Sequence, residues 1–216
     1  MLLLFTLGIF GFLYAQEWQA ESESLYNIFK KVSQGLVYCY STPSKTTGTA
    51  VKKTKEGTWF ITAKHKVDSD FPEASNIYIK ENRERDTKVY KATNIIVPDN
   101  RGLDLLLFFV PDYKAKHVFK RFRAPYLYEE TWVFGFRGGA DKVPGSPGYV
   151  TEFAINDNFI FSSASIWFGC SGSPVINRKG EVLGIAVQMA SASSADTLFI
   201  SGKIVKEFIK KALEGK

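Results

Sequence analysis

The chain has 216 residues, 45% of them hydrophobic and 15% aromatic, with 28 Lys and Arg against 22 Asp and Glu. That much apolar material excludes a wholly disordered chain and supplies core for one large domain or two small ones sharing an interface. The formal net charge of +6 is scattered without a dense basic block, and the two histidines and two cysteines show no close pairing, which argues against a nucleic-acid tract, a disulfide-stapled scaffold and a zinc site.

Met1 to Gln16 carry no charge and are dominated by Leu, Phe and Ile. The stretch is short for a bilayer span and suits the apolar core of a signal peptide, so export to a periplasmic or secreted location is expected. Ala15 offers a cleavage point; the missing basic start, and Leu13 as a poor partner for Ala15, leave an uncleaved anchor as the alternative. After cleavage no stable membrane span is expected. Residues 17–35 form an N-terminal segment in which Leu25, Ile28 and Phe29 recur at helical spacing, predicting an amphipathic helix over Ser22 to Lys31.

From Gly35 the texture changes to short runs rich in Val, Ile, Thr, Phe and Tyr, bounded by turn residues. Leu36–Tyr40, Gly48–Lys52, Thr58–Thr62, Ile77–Lys80, Val89–Val97 and Leu105–Val110 are predicted strands of a first unit, residues 36–122. Its last part, Lys114 to Arg123, interleaves basic residues with Val118, Phe119 and Phe122 and reads as a solvated segment. A second unit, residues 123–202, holds predicted strands Trp132–Phe136, Gly148–Phe153, Phe159–Ser162, Pro174–Ile176, Val182–Gln188 and Leu198–Ser201. Turns are expected at Arg137–Ala140, Pro144–Pro147 and Asn177–Gly180. Residues 203–216 close the chain: between Lys203 and Leu213 an apolar face of Ile204, Val205, Phe208 and Ile209 opposes lysines, the pattern of an amphipathic helix.

The sharpest chemical signal is Gly169-Cys170-Ser171-Gly172-Ser173-Pro174, a small-residue loop entering the apolar strand Val175 and Ile176. A nucleophilic serine needs a tight backbone turn that exposes its hydroxyl and aims neighbouring amides at the oxyanion formed on attack. Gly169 and Ser171 are the candidate oxyanion donors. An ordinary Gly/Ser turn would leave the same trace, so the loop gains meaning only with a base nearby. His65 follows the run Trp59 to Thr62 and is the candidate base; His117, among Lys114, Lys116 and Lys120, reads as a surface residue. Asp104, at the head of Leu105 to Val110, is the candidate partner for the second ring nitrogen of His65, because a carboxylate at the mouth of an apolar strand needs a charged or hydrogen-bonding role. Asp99, between Pro98 and Asn100, is its rival in a turn.

Together these motifs resemble the chymotrypsin-like serine peptidases: Thr62-Ala63-Lys64-His65, Asp104-Leu105-Leu106-Leu107 and Gly169 to Pro174 occur in that family's order of His, Asp and Ser. They are closest to the protease domain of the bacterial Deg, or high-temperature-requirement, group, without its PDZ domain. The resemblance implies an all-β fold of two six-stranded antiparallel β-barrels with short helices at the N- and C-terminal ends. It implies a serine endopeptidase acting on polypeptides without a cofactor, with His65, Asp104 and Ser171 as its triad. It also puts Ser165 at the floor of the pocket for the residue before the cleaved bond, with Val187, Gln188 and Met189 along a wall, hence a preference for small or medium apolar side chains. Cys170 stands where digestive members carry an acid that pairs with a freed N-terminus, so that activation route is not expected. A catalytically silent peptide-binding module on the same barrels is the alternative.

Overall fold

The computed structural model describes residues 22–41, 44–66, 76–82, 88–100, 102–137, 142–144, 147–154, 158–189 and 196–214. The leader lies outside them. Helix α1 spans 22–33. The first barrel then forms from β1 Leu36–Ser41, β2 Ser44–Lys53, β3 Gly57–Thr62, β4 Tyr78–Lys80, β5 Tyr90–Lys91, β6 Thr93–Ile96 and β7 Leu106–Pro111. The second is β8 Glu130–Phe136, β9 Lys142–Pro144, β10 Gly148–Phe153, β11 Phe159–Ser165, β12 Pro174–Ile176, β13 Val182–Met189 and β14 Asp196–Ser201, followed by α2 Gly202–Ala212.

All pairings between these strands are antiparallel. In the first sheet the order is β5-β4-β1-β2-β3-β7-β6. β5 and β6 are separated only by Ala92, so the run predicted as the single strand Val89–Val97 breaks there, one piece pairing with β4 and the other with β7. Asn94, at φ 49°, lies within the register shift of the second piece. That bent segment joins the two ends of the sheet through the chain, so six predicted strands become a seven-stranded sheet that is nearly closed as a barrel. The second sheet closes through the β10–β8 pairing, and β9 adds a seventh strand as a hairpin on β8. β9 is a strand the sequence did not announce, and its last residue, Pro144, falls in the expected turn; as an edge strand it tolerates a proline.

The apolar runs are continuous rather than alternating because both faces of the inner strands are covered. Along β3 and β7, Phe60, Leu106, Phe108 and Val110 fill the first barrel with Val37, Cys39, Ile77 and Ile79. Their neighbours Trp59, Ile61 and Leu107 face the other way, into a core shared between the barrels with Phe134, Phe136, Ile185 and Val187. The second barrel is filled by Val133, Val150, Ile160, Val175, Leu183 and Phe199. Both helices seal the shared core, α1 through Phe29 stacked 5.6 Å from Phe134 and α2 through Val205 and Phe208. Each fully buried Phe contributes roughly 2 kcal/mol.

The connector between the barrels is not the solvated segment expected. Ala115, Phe119 and Phe122 are buried, and Arg121 and Arg123 run beside the start of β13, with Val182 N–H donating to Arg121 O at 2.7 Å and Arg123 N–H to Val182 O at 3.1 Å. The reason is charge pairing. The Arg123 guanidinium grips both oxygens of buried Glu129 and donates to Glu181 at 3.0 Å; Arg121 reaches Glu181 at 2.5 Å, and Asn177 donates to both carboxylates at 3.0 Å. Asn177 and its neighbours Arg123 and Arg121 hold the Glu181 carboxyl down at about 2.

Candidate active site

Strand register brings His65 and Asp104 together. Thr62 at the end of β3 lies opposite Leu106 at the start of β7, so the 3-10 turn Lys64–Lys66 beyond β3 meets the residues just before β7. The Asp104 carboxylate there takes two donors from one residue: the His65 main-chain N–H at 2.8 Å and the ring Nδ1–H. Two donors from His65 fix the ring's orientation and its tautomer, leaving Nε2 to accept a proton. The side chains retain 35% and 21% exposure, so the imidazole borders solvent while the carboxylate is largely covered.

Ser171 approaches from the second barrel on the loop between β11 and β12. Its Oγ is 3.4 Å from His65 Nε2 and 3.1 Å from the Val187 carbonyl oxygen. The distance to nitrogen is the longer of the two, and the hydroxyl proton is directed at the Val187 carbonyl. Within the loop the amides divide. Cys170 N–H donates to Trp167 O at 3.0 Å, Gly172 N–H to Ala186 O at 2.7 Å and Ser173 N–H to Cys170 O at 2.9 Å. Among the described residues the N–H groups of Gly169 and Ser171 have no acceptor. Gly169 and Gly172 adopt φ of 94° and 84°, and at Gly172 a Cβ would stand 2.0 Å from Thr47 O and 2.3 Å from Thr62 Oγ1, so only glycine fits there.

The rival residues lie elsewhere. The Asp99 side chain is 83% exposed and pairs with Lys211 of α2 at 2.5 Å. His117 is half-buried rather than a surface residue: its ring meets Phe119 edge-on at 4.8 Å, and burial with help from Lys31 lowers its basicity. Cys39 and Cys170 are both free and sit in separate barrel cores, and burial pushes both thiols up.

The four pocket candidates are arranged unevenly. Ser165 is half-buried and lies opposite Asp196 in the β11–β14 ladder. Val187 turns its side chain into the core between the barrels and offers its carbonyl to Ser171. Gln188 is exposed, and Met189 packs on the core that contains Ile166 and Cys170. Sequence reading missed the aromatic pair beside them: Trp167 and Phe168, 46% and 65% exposed, meet at 6.0 Å directly before Gly169, with Arg137 5.8 Å from the Trp167 ring. It also missed Thr46, Thr47 and Thr49 of β2, whose hydroxyls contact the serine loop. Two bulky exposed rings beside a Gly-rich loop were the one signal available in the sequence; threonines in a strand carry none.

The model of the trypsin-like peptidase domain matches residues 46–185, which includes all three motifs. The chain belongs to the trypsin-like peptidase family. No curated protein matches it by sequence. In three dimensions this peptidase is similar to the serine endoprotease from Yersinia pestis, with TM-score 0.69 and 18% identity over 88% of this chain and 67% of that one. It is also similar to an inactive form of the Rv3671c protease, with TM-score 0.66 and 18% identity over 87% of this chain and 93% of that one, and to a mutant of Rv3671c from M. tuberculosis H37Rv, with TM-score 0.66 and 17% identity over 88% and 91%. At such identity the likeness is one of fold, the double barrel. No helix among the described residues is long and apolar enough to cross a membrane.

Proposed function

We propose that this trypsin-like domain is an exported serine endopeptidase in which Ser171 is the nucleophile, His65 the general base and Asp104 the residue that orients His65. The observation carrying this reading is the alignment of the Asp104 carboxylate, the His65 ring and Ser171 Oγ, the last 3.4 Å from His65 Nε2. In the reaction Ser171 Oγ attacks the substrate carbonyl carbon as its proton passes to His65 Nε2. The oxyanion is received by the Gly169 and Ser171 N–H groups, the two loop amides without an acceptor. His65 then gives its proton to the leaving amine, and water, deprotonated by the same nitrogen, releases the acyl group. Export rests on the uncharged apolar leader, Met1 to Gln16.

For the residue before the cleaved bond we assign Ser165, Gln188 and Met189, with the main chain of Val187, as the pocket and expect small or medium apolar side chains. The exposed rings of Trp167 and Phe168 beside Gly169 favour apolar substrates further. A peptide library digested by the purified protein tests both levels. Cleavage that disappears in Ser171→Ala, with apolar residues dominating before the cut, is the expected outcome. A profile dominated by Lys or Arg would overturn the pocket assignment and point to Asp196, opposite Ser165, as the charge that selects them.

A further inference from the structure

The serine loop belongs to the second barrel, yet its carbonyls are held by the first. Thr47 N–H donates to Ser171 O at 2.9 Å, and the Thr46 hydroxyl donates to the same oxygen. The Thr47 hydroxyl donates to Gly169 O at 2.8 Å and the Thr49 hydroxyl to Gly172 O at 2.7 Å. Thr47 Oγ1 is itself fixed, accepting the Phe136 N–H at 3.1 Å from the end of β8. Gly135 packs closely against this hydroxyl: a Cβ there would lie 2.8 Å from it and 1.9 Å from Ser173 Oγ.

Peptide planarity converts these carbonyl contacts into amide directions, because in a trans peptide the C=O and N–H point opposite ways. Clamping Ser171 O toward β2 sends Gly172 N–H the other way, to Ala186 O; clamping Gly169 O does the same for Cys170 N–H, which reaches Trp167 O. Cys170 O, turned inward to Ser173 N–H, leaves Ser171 N–H turned out. With the Gly169–Cys170 plane held, the φ of 94° at Gly169 sets where its own N–H points.

We propose that Thr47 is a positioning residue for the oxyanion site, its hydroxyl locking the Gly169 peptide so that the free amides of Gly169 and Ser171 stay aligned, with Thr46 and Thr49 securing the rest of the loop. The inference rests on Ser171 being the nucleophile. It identifies a neutral side-chain contact across the barrels as a determinant of rate rather than of substrate binding.

The test compares Thr47→Val, which keeps the shape and β-branching of the strand residue, with Thr47→Ser, which keeps the hydroxyl. Thr58→Val serves as the control, because Thr58 Oγ1 likewise donates to a carbonyl, Tyr113 O at 2.8 Å, and accepts an N–H, from Ala115 at 3.1 Å, away from the serine loop. For folded Thr47→Val, kcat and the rate of fluorophosphonate labelling fall about tenfold to a hundredfold, KM stays within about twofold, and affinity for a peptide aldehyde, whose adduct carries the oxyanion, falls with kcat. Thr47→Ser restores the rates, and Thr58→Val leaves them unchanged while lowering Tm. If Thr47→Val does not fold, Thr49→Val carries the same comparison through Gly172 O. Wild-type labelling with an unaffected Thr47→Val overturns this inference alone, as does an equal loss in Thr58→Val. Absence of labelling in the folded wild-type protein overturns the nucleophile assignment, and this inference with it.

Discussion

Two polar seams involve the second barrel, and they are built from different chemistry. Around Ser171 the contacts from β2 are neutral: threonine hydroxyls and one amide on the carbonyls of the serine loop. At the connector they are ionic: Arg121 and Arg123 against Glu129 and Glu181, with Asn177 between the two carboxylates. The difference fits the role proposed for each seam. A loop whose free amides are to receive a developing negative charge is best held by dipoles that add no net charge beside it. A connector that must be pinned to the base of β13 gains from charge-assisted, bidentate bonds, because Arg123 stays a third exposed while Glu129 is 4% exposed. One seam is expected to govern rate and the other stability.

The largest effect separates them most cleanly. Asp104→Asn keeps the shape beside His65 but favours the wrong ring tautomer, so kcat falls by about 10⁴ while Tm changes little. A large loss of Tm with it would mean that the Asp104–His65 contact is structural. Next, Arg123→Met leaves Glu129 buried without its cation, costing about 3 kcal/mol of unfolding free energy in urea titrations, whereas fluorophosphonate labelling of the folded fraction proceeds at the wild-type rate. Equal loss of rate would show the two seams coupled.

The smallest effect is on acid stability. The Glu181 carboxyl is held at about 2 when folded against an ordinary 4.5. A depressed pKa contributes stability that is fully present above the unfolded value and is lost as pH falls through the folded one. Tm is therefore expected to drop between about pH 4.5 and pH 2, and Glu181→Gln, less stable at pH 7, should show a shallower drop across that window. An unchanged slope would remove Glu181 as its source.

Much of this was readable in the sequence, for reasons that can be named. His65, Asp104 and Ser171 stand at ends of apolar strands, and strand ends are where register converts sequence position into spatial position; Thr62 opposite Leu106 is enough to bring the first two together. The all-β architecture was legible because β-branched and aromatic runs are punctuated by turn residues. The bend at Ala92 was not, since it depends on one segment having to pair with both β4 and β7. β9 was hidden by Pro144, a turn residue used at an edge. The connector was misread because Lys and Arg look solvated until their partners are known, and Glu181 lies 60 and 58 residues along the chain from Arg121 and Arg123. The threonines of β2 were silent for the same reason, their meaning lying in carbonyls more than a hundred residues away.

The central claim, that Ser171 is made nucleophilic by His65 held on Asp104, is tested most directly by mass mapping of fluorophosphonate-treated protein. A single adduct is expected, on Ser171, that forms in the wild-type protein and is lost in His65→Ala. A folded wild-type protein that forms no adduct, or an adduct on Ser171 that forms equally fast without His65, would contradict it.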